Sequence, residues 1–386
     1  MKKGISAVKY IRNNKRTCFV LIIAFALTIM VMYVINFLLS ATKESFKTIM
    51  LEMPKKVMYA NLSDEAYGIN EEDFATHEEY VDKYQETVEE TENKMRALDG
   101  VKFVKRAQKI DTKYAGIIGM VVYETPLLEK EEIKGYMDHF NAKLIDGKMP
   151  EEPGDILVDK NVFANRHYEI GGYYMKDFYG ETFKVCGVIE SDYMICVGMP
   201  NGFTNSGWYT VICIDEPITQ FKDIAEKLDL NISETEDIID ANDYRAFYDD
   251  DVVKSIDSSM DIIILVVMIF LAISVIVAYV SFMRNRVSEY CLYSSIGYSK
   301  KSIYAMMMRE MIIIFAAGII IGAMIAGVIV IFLNKTAVEP MGLIGKLVDL
   351  NQISKIMTAI ICIIGLLQIP VVMTINSIKT IDMIED

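Results

Sequence analysis

The stretch Arg284–Leu333, RNRVSEYCLYSSIGYSKKSIYAMMMREMIIIFAAGIIIGAMIAGVIVIFL, decides how the rest of the chain is read. From Met311 onward it is an unbroken apolar run, long enough to cross a bilayer as a helix. Gly318, Gly322 and Ala326 recur in it at every fourth position. Small residues at that spacing let helix backbones approach closely in lipid, within one bundle or across a dimer. The part before the run is short, basic and helical in pattern, with Gly297 inside it. Another apolar run, Ile262–Phe282, ends just upstream. A loop carrying Arg284, Arg286, Lys300, Lys301 and Arg309 against Glu289 and Glu310 belongs on the cytoplasmic side by the positive-inside rule. There a soluble partner can reach it.

Working outward, two further apolar runs appear. Thr17–Ser40 follows a flank holding Lys2, Lys3, Lys9, Arg12, Lys15 and Arg16 and no acid. As a helix, its uncharged residues would span about 36 Å, enough to cross with some tilt. The run is longer than the apolar core of a secretory signal, so it reads as a retained anchor. Ile356–Ile375 is the fourth run, with Pro370 near its inner end. Both basic flanks agree on one topology. Residues 1–16 form a cytoplasmic opening helix and 17–40 the first span. Residues 41–260 form an extracytoplasmic domain and 261–283 the second span. Residues 284–310 form the cytoplasmic loop and 311–333 the third span. An outer loop (334–355), the fourth span (356–375) and a cytoplasmic tail (376–386) complete the chain.

Charge separates these parts. The chain has 386 residues, a net charge of −14 and a mean hydropathy of +0.26. Between Ala41 and Met260 stand 24 Lys and Arg against 45 Asp and Glu, a net of −21, which leaves +7 for the remainder. An acidic, water-facing unit is therefore spliced into a basic, apolar one. It has the length to bury its own core. Strands are predicted at Lys55–Leu62, Val101–Ile110, Tyr114–Tyr123, Ile156–Val158 and Tyr209–Ile214, with two more joined near Tyr179-Gly180. Helices are predicted over the acidic stretch 64–98, around Asn161–Asn165, and over Ile218–Leu230. The mixture makes this an α+β domain. The acidic field would attract cationic peptides, but solubility alone accounts for it as simply.

Several chemistries are excluded. No phosphate-binding G-x-x-x-x-G-K-[ST] loop occurs, and Gly297-Tyr298-Ser299-Lys300-Lys301-Ser302 lacks its glycine spacing. His77, His139 and His167 are scattered without metal-ligand spacing. Asp240-x-Asn242 begins like a calcium loop, but Arg245 stands where a glycine is required. The acid clusters Glu71-Glu72-Asp73 and Asp249-Asp250-Asp251 read as solvated faces or helix caps. Of six cysteines, Cys186, Cys196 and Cys213 lie in the acidic unit, an odd number with no disulfide framework, although Cys186 and Cys196 could pair across strands. The spans hold almost no ionisable groups, so energy for any transport must come from outside them.

Three separated blocks then carry a resemblance. The opening Ala7–Arg16 contains Arg12, Asn13, Asn14, Lys15 and Arg16. The block from Gly147 contains Pro150, Pro153, Gly154, Asp155, Gly171 and Phe183–Val188. The loop Arg284–Glu310 places Glu289, Ile296, Gly297, Ser299, Ile303 and Glu310 in register. Together these resemble permease subunits of ABC systems of the FtsX-like/MacB-like superfamily. Pro370–Ile384 looks like the family's proline-bearing exit. Gly172 and Ser294-Ser295 depart from its pattern, so a basic contact to the partner would move to Lys300-Lys301.

The resemblance implies four transmembrane helices with a MacB-like α+β domain between the first two. It implies a permease subunit in a bacterial membrane, not itself an enzyme, with no cofactor of its own and no nucleic acid partner. Its expected partners are a cytoplasmic ABC ATPase subunit, which would hold ATP and Mg, and a second permease copy or paralogue. The coupling residues so implied are Glu289, Ile296, Gly297, Tyr298, Ser299, Lys300, Ile303 and Glu310, with a coupling helix around Gly297–Tyr304. Movement of that helix would be passed outward by mechanotransmission, to export or extract a peptide or lipoprotein. Two alternatives are an FtsX-like activator of an extracellular partner and a receptor passing a signal inward.

Overall fold

The structure is a computed structural model that describes residues 11, 14–202, 207–233, 236–249, 251–348 and 350–377. Most of the opening block, the tail from 378 and the centre of the Asp249–Asp251 cluster lie outside the described residues.

Along the chain, helix α1 (Lys15–Lys47) leads through a π turn and a 3-10 turn into β1 (Val57–Asn61). There follow α2 (His77–Arg96), β2 (Val101–Ala115), β3 (Met120–Leu127), α3 (Lys130–His139), β4 (Lys143–Gly147), β5 (Asp155–Asp159), α4 (Lys160–Asn165), α5 (Lys176–Tyr179), β6 (Lys184–Glu190), β7 (Val197–Gly198), β8 (Trp208–Ile214), α6 (Phe221–Leu228), β9 (Asp237–Ile239) and α7 (Ala241–Asp249). Four long helical pieces end the chain: α8 (Asp251–Arg284), α9 (Val287–Ser295), α10 (Lys300–Leu333) and α11 (Leu350–Ser377).

Two compact units result. One comprises residues 1–40, 258–336 and 345–386; the other comprises 41–257 together with 337–344. Four helices among the described residues are long and apolar enough to cross a membrane, within Lys15–Lys55, Asp261–Arg284, Lys300–Val338 and Ile356–Asn376. This is a multi-pass membrane protein with a mixed-sheet α+β domain between its first two apolar helices.

In the helical unit, Phe25, Ile29, Tyr279, Met307, Ile314, Phe315, Ile363 and Leu367 share one core. Phe25 and Phe315 stack with centroids 4.2 Å apart. The close spacing of α1 and α10 depends on two glycines. A Cβ on Gly318 would stand 2.8 Å from Phe25 Cδ1, and one on Gly322 would stand 2.7 Å from the Ala26 carbonyl oxygen. The small-residue stripe therefore packs inside this chain, where van der Waals contact replaces the hydrophobic drive that lipid does not provide. Outward positions such as Phe270, Val277 and Val328 are large, apolar and exposed, as lipid-facing residues are.

The α+β unit holds one nine-stranded sheet in the order β4-β6-β5-β7-β3-β2-β8-β1-β9. β2 pairs antiparallel with β3 and β8, while β5 pairs parallel with β6. Strand β1, beside the edge strand β9, is buried on both faces because helices cover both. Met58, Val104 and Ile212 meet Met95 of α2 and Phe221 and Ile224 of α6. On the other face Phe103 packs edge-on against Tyr136 of α3, with centroids 6.1 Å apart.

Three local expectations change. The hairpin turn lies at 116–119 rather than near Asp111, because Thr112 is fully buried and bonded to Thr125 and Tyr174. A strand before Gly180 is replaced by a single bridge at Tyr173 and the one-turn α5. The helix expected over 64–98 begins only at His77, where Thr76 caps it by accepting from Glu79 N at 3.2 Å. Cys186 and Cys196 are buried and unbridged.

The connection from α10 to α11 is read from sequence as a short outer loop, and its residues 337–344 group with the α+β unit. Tyr114 Oη donates to the Gly342 carbonyl at 2.6 Å, and Asn165 Nδ2 donates to the Met341 carbonyl at 2.8 Å. Ile344 N donates to Ser45 Oγ at 2.9 Å. Gly342 has φ +67°, and a Cβ there would fall 1.9 Å from the Asn161 carbonyl oxygen. Only glycine combines that backbone with that approach.

Candidate functional site

The candidate site is the connection between α8 and α10, built from its turns upward. α9 ends in a Schellman motif: Gly297 N donates to the Ser294 carbonyl at 3.0 Å and Tyr298 N to the Tyr293 carbonyl at 3.1 Å. Gly297 occupies the left-handed position with φ +92°. The motif's usual apolar contact is a T-shaped pair, Tyr293 against Tyr298, with centroids 6.1 Å apart. α10 then starts at once. Ser299 is its N-cap and accepts from Ser302 N at 3.3 Å.

The expected helix around Gly297–Tyr304 is therefore not one helix. Gly297 stops one helix, Ser299 starts the next, and the two residues serve the backbone. Ile303 is fully buried in the helical core, and Glu310 is buried too. Both side chains are packed inside this chain. Glu310 instead pairs with Arg286, which is itself buried. Arg286 also donates through Nε to Glu289 Oε2 at 3.2 Å, and its guanidinium lies 4.9 Å from the Tyr290 ring centroid and 5.4 Å from that of Phe282. This arginine ties the turn after α8 to α9 and α10 at once. In the sequence Arg286 reads only as a basic loop residue. The signal for its role is a lone acid, Glu310, next to a long apolar run, where an acid needs a cationic partner. Farther along α10, Tyr304 Oη donates to Gln368 Oε1 of α11 at 2.8 Å.

The remaining expected residues are exposed together. Ile296 is 57% exposed and Leu292, one turn earlier on α9, 58% exposed. Ser299, Lys300 and Lys301 are exposed beside them, and Tyr298 is half-buried. The tip is thus an apolar pair flanked by two cations, carried on a framework held by a buried ion pair and a glycine turn. No cluster of metal-ligating side chains occurs among the described residues.

Residues 262–381 match the family described as FtsX-like permease C-terminal. The match covers the whole loop Arg284–Glu310 and Gly318, Gly322 and Ala326. No curated protein sequence matches the chain. Among solved structures, the chain is similar to the periplasmic region of MacB from Actinobacillus actinomycetemcomitans, at 11% identity and a TM-score of 0.27, over 51% of this chain and 94% of that one. It is also similar to the extracellular domain of the noncanonic ABC-type transporter YknZ from Gram-positive bacteria, at 15% identity and a TM-score of 0.25, over 48% of this chain and 99% of that one.

Proposed function

We propose that the chain is the membrane subunit of an ATP-driven ABC system and works with a separate cytoplasmic ATPase that supplies ATP and Mg chemistry. The tip of the α8–α10 connection is the docking surface for that ATPase. The observation that carries this is the exposed pair Leu292 and Ile296 beside Lys300 and Lys301, at the end of a rigidly held turn inside the matched residues. Exposed apolar residues at the centre of a polar rim are what a protein partner buries. A second permease, the same chain or a paralogue, completes the assembly. Residues 41–260 lie outside the cell and both termini inside. The work done is export or extraction of a peptide or lipoprotein, driven by helix movement rather than by ion flow.

The test is co-purification of the full chain with the ATPase encoded beside it, in detergent. Leu292→Asp combined with Ile296→Asp changes exposed side chains only, so insertion and folding persist while ATPase recovery falls at least tenfold. Gly297 is unsuitable for substitution here because its φ of +92° makes it part of the turn. Equal recovery by wild type and double variant, or none by either, would overturn the docking assignment.

A further inference from the structure

The hairpin between β2 and β3 turns through Gly116-Ile117-Ile118-Gly119, closed by Gly116 N donating to the Gly119 carbonyl at 3.0 Å. Hairpin turns in water are built from Gly, Asn, Asp, Ser and Pro. This one places two isoleucines between its glycines, in a region of net charge −21. Its apolar side chains are not folded inward: Ile117 is 39% exposed, Met120 45% and Val122 39%. Lys113 stands opposite Val122 in register and reaches over the exposed Phe178 ring, with Nζ 3.1 Å from the centroid. The tip is therefore an apolar point with a cation at its edge.

Its position is set by α1. Ile117 N donates to Thr42 Oγ1 at 2.9 Å. Gly116 comes so close that a Cβ would stand 2.3 Å from Thr42 Cγ2 and 2.9 Å from Phe46 Cζ. Thr42 follows the uncharged run Thr17–Ser40 by two residues, about 3 Å along a helix axis. That run is already longer than the roughly 30 Å of a hydrocarbon core, so Thr42 lies in the headgroup layer. The exposed Lys43 of α1 stands at that level and the exposed Lys47 about 7.5 Å farther along the helix, both suited to anionic headgroups. Met341, also exposed, is held beside the hairpin because Asn165 Nδ2 donates to both the Ala115 and Met341 carbonyls, at 2.7 and 2.8 Å.

We propose that residues 116–122 form a membrane-interface anchor, with Ile117, Met120 and Val122 seated at the headgroup–acyl boundary of the leaflet at that end of α1. Apolar side chains flanked by lysines are the composition that interfacial elements use. The level of Thr42 favours lipid as the occupant over a second copy of this chain. The inference rests on α1 crossing the membrane and not on the ATPase partner.

The full chain is reconstituted in nanodiscs of phosphatidylglycerol and phosphatidylethanolamine, on a Cys362→Ser background because Cys362 is exposed and the other cysteines are buried. An environment-sensitive fluorophore is attached through Ile117→Cys, or through Met120→Cys where the first labelling disturbs the fold. A probe at Glu89→Cys, on an exposed position of α2, serves as the water-facing control. The expected result is a blue-shifted emission at the hairpin, with quenching by lipids carrying a nitroxide near the headgroup about threefold or more stronger than at the Glu89→Cys probe. Water-like emission without lipid quenching overturns the proposal. So does a blue shift insensitive to nitroxide lipids with crosslinking of the introduced thiols between copies, which assigns the tip to a protein interface.

Discussion

Two connections between apolar helices share a glycine turn and differ in what else is bonded to it. The α8–α10 connection turns at Gly297 with φ +92°, and the α10–α11 connection turns at Gly342 with φ +67°. Around Gly297 the turn bonds Gly297 N to the Ser294 carbonyl and Tyr298 N to the Tyr293 carbonyl, and the apolar side chains Leu292 and Ile296 are exposed. Around Gly342 the same kind of turn bonds Gly342 N to the Glu339 carbonyl at 2.9 Å and Leu343 N to the Val338 carbonyl at 3.0 Å. There Tyr114, Asn165 and Ser45, from distant parts of the α+β unit, also bond the Gly342 and Met341 carbonyls and the Ile344 amide. The second connection is thus fastened within the α+β unit in addition to closing its own turn. Residues 337–344 are part of that unit.

The largest expected effect breaks the frame behind the first connection. Glu310→Ala removes the buried acid paired with Arg286, leaving it the half-exposed Glu289, and should cost about 3–5 kcal/mol, measured by thermal or denaturant unfolding in detergent. Arg286→Met with Glu310→Leu should recover most of that loss, because the desolvated charges leave together. No recovery in the double variant would mean that the pair does more than neutralise itself.

A smaller effect sharpens the comparison directly. Gly342→Ala forces a methyl group into the Asn161 carbonyl and should cost about 3 kcal/mol. Gly297→Ala carries the backbone penalty of a left-handed residue, about 1 kcal/mol. Equal losses in the two variants would show that the α10–α11 segment is not clasped as described.

The smallest effect is a pH dependence within the α+β unit, whose helix α4 helps to hold Gly342. Asp159 caps α4 by accepting from Asn161 N at 2.8 Å, and it also accepts from Ser191 N and Oγ. Burial nevertheless pushes its carboxyl from an ordinary value near 3.8 up to about 6. Between those values the folded protein holds a proton that the unfolded chain has released, so this group's contribution falls as pH rises from about 4 to 6 and is level above. Asp159→Asn keeps a cap acceptor and should flatten that part of the profile relative to wild type, read from denaturant midpoints at several pH values. An unchanged slope would place the titration elsewhere.

Much of the architecture was legible because its signals are local. The four apolar runs, the acidic block between the first two and the basic loop near Gly297 are each contiguous in sequence. Bilayer thickness turns such runs directly into helices. Strands β1, β5 and β8 were legible for the same reason, as short apolar runs bounded by turn residues. The turn at 116–119 was not. Its isoleucines look like strand residues, and what stops the strand is the close approach of Gly116 to Thr42.

The site divides in the same manner. Sequence located the loop, its exposed Ile296 and its cations, since composition and register are local properties. It could not separate residues that face outward from those that hold the frame. Ile303, Glu310 and Gly297 went to the frame, and Arg286 joined them, because burial depends on neighbours far along the chain. The amino-acid sequence alone thus determined four helices long and apolar enough to cross a membrane, with an α+β domain between the first two. Tertiary structure alone decided that the stripe Gly318, Gly322 packs on α1 and that 337–344 is clasped by Tyr114, Asn165 and Ser45. The physical reason is that hydropathy and backbone propensity act over a few residues, whereas close packing and buried hydrogen bonds require partners that only the folded chain brings together.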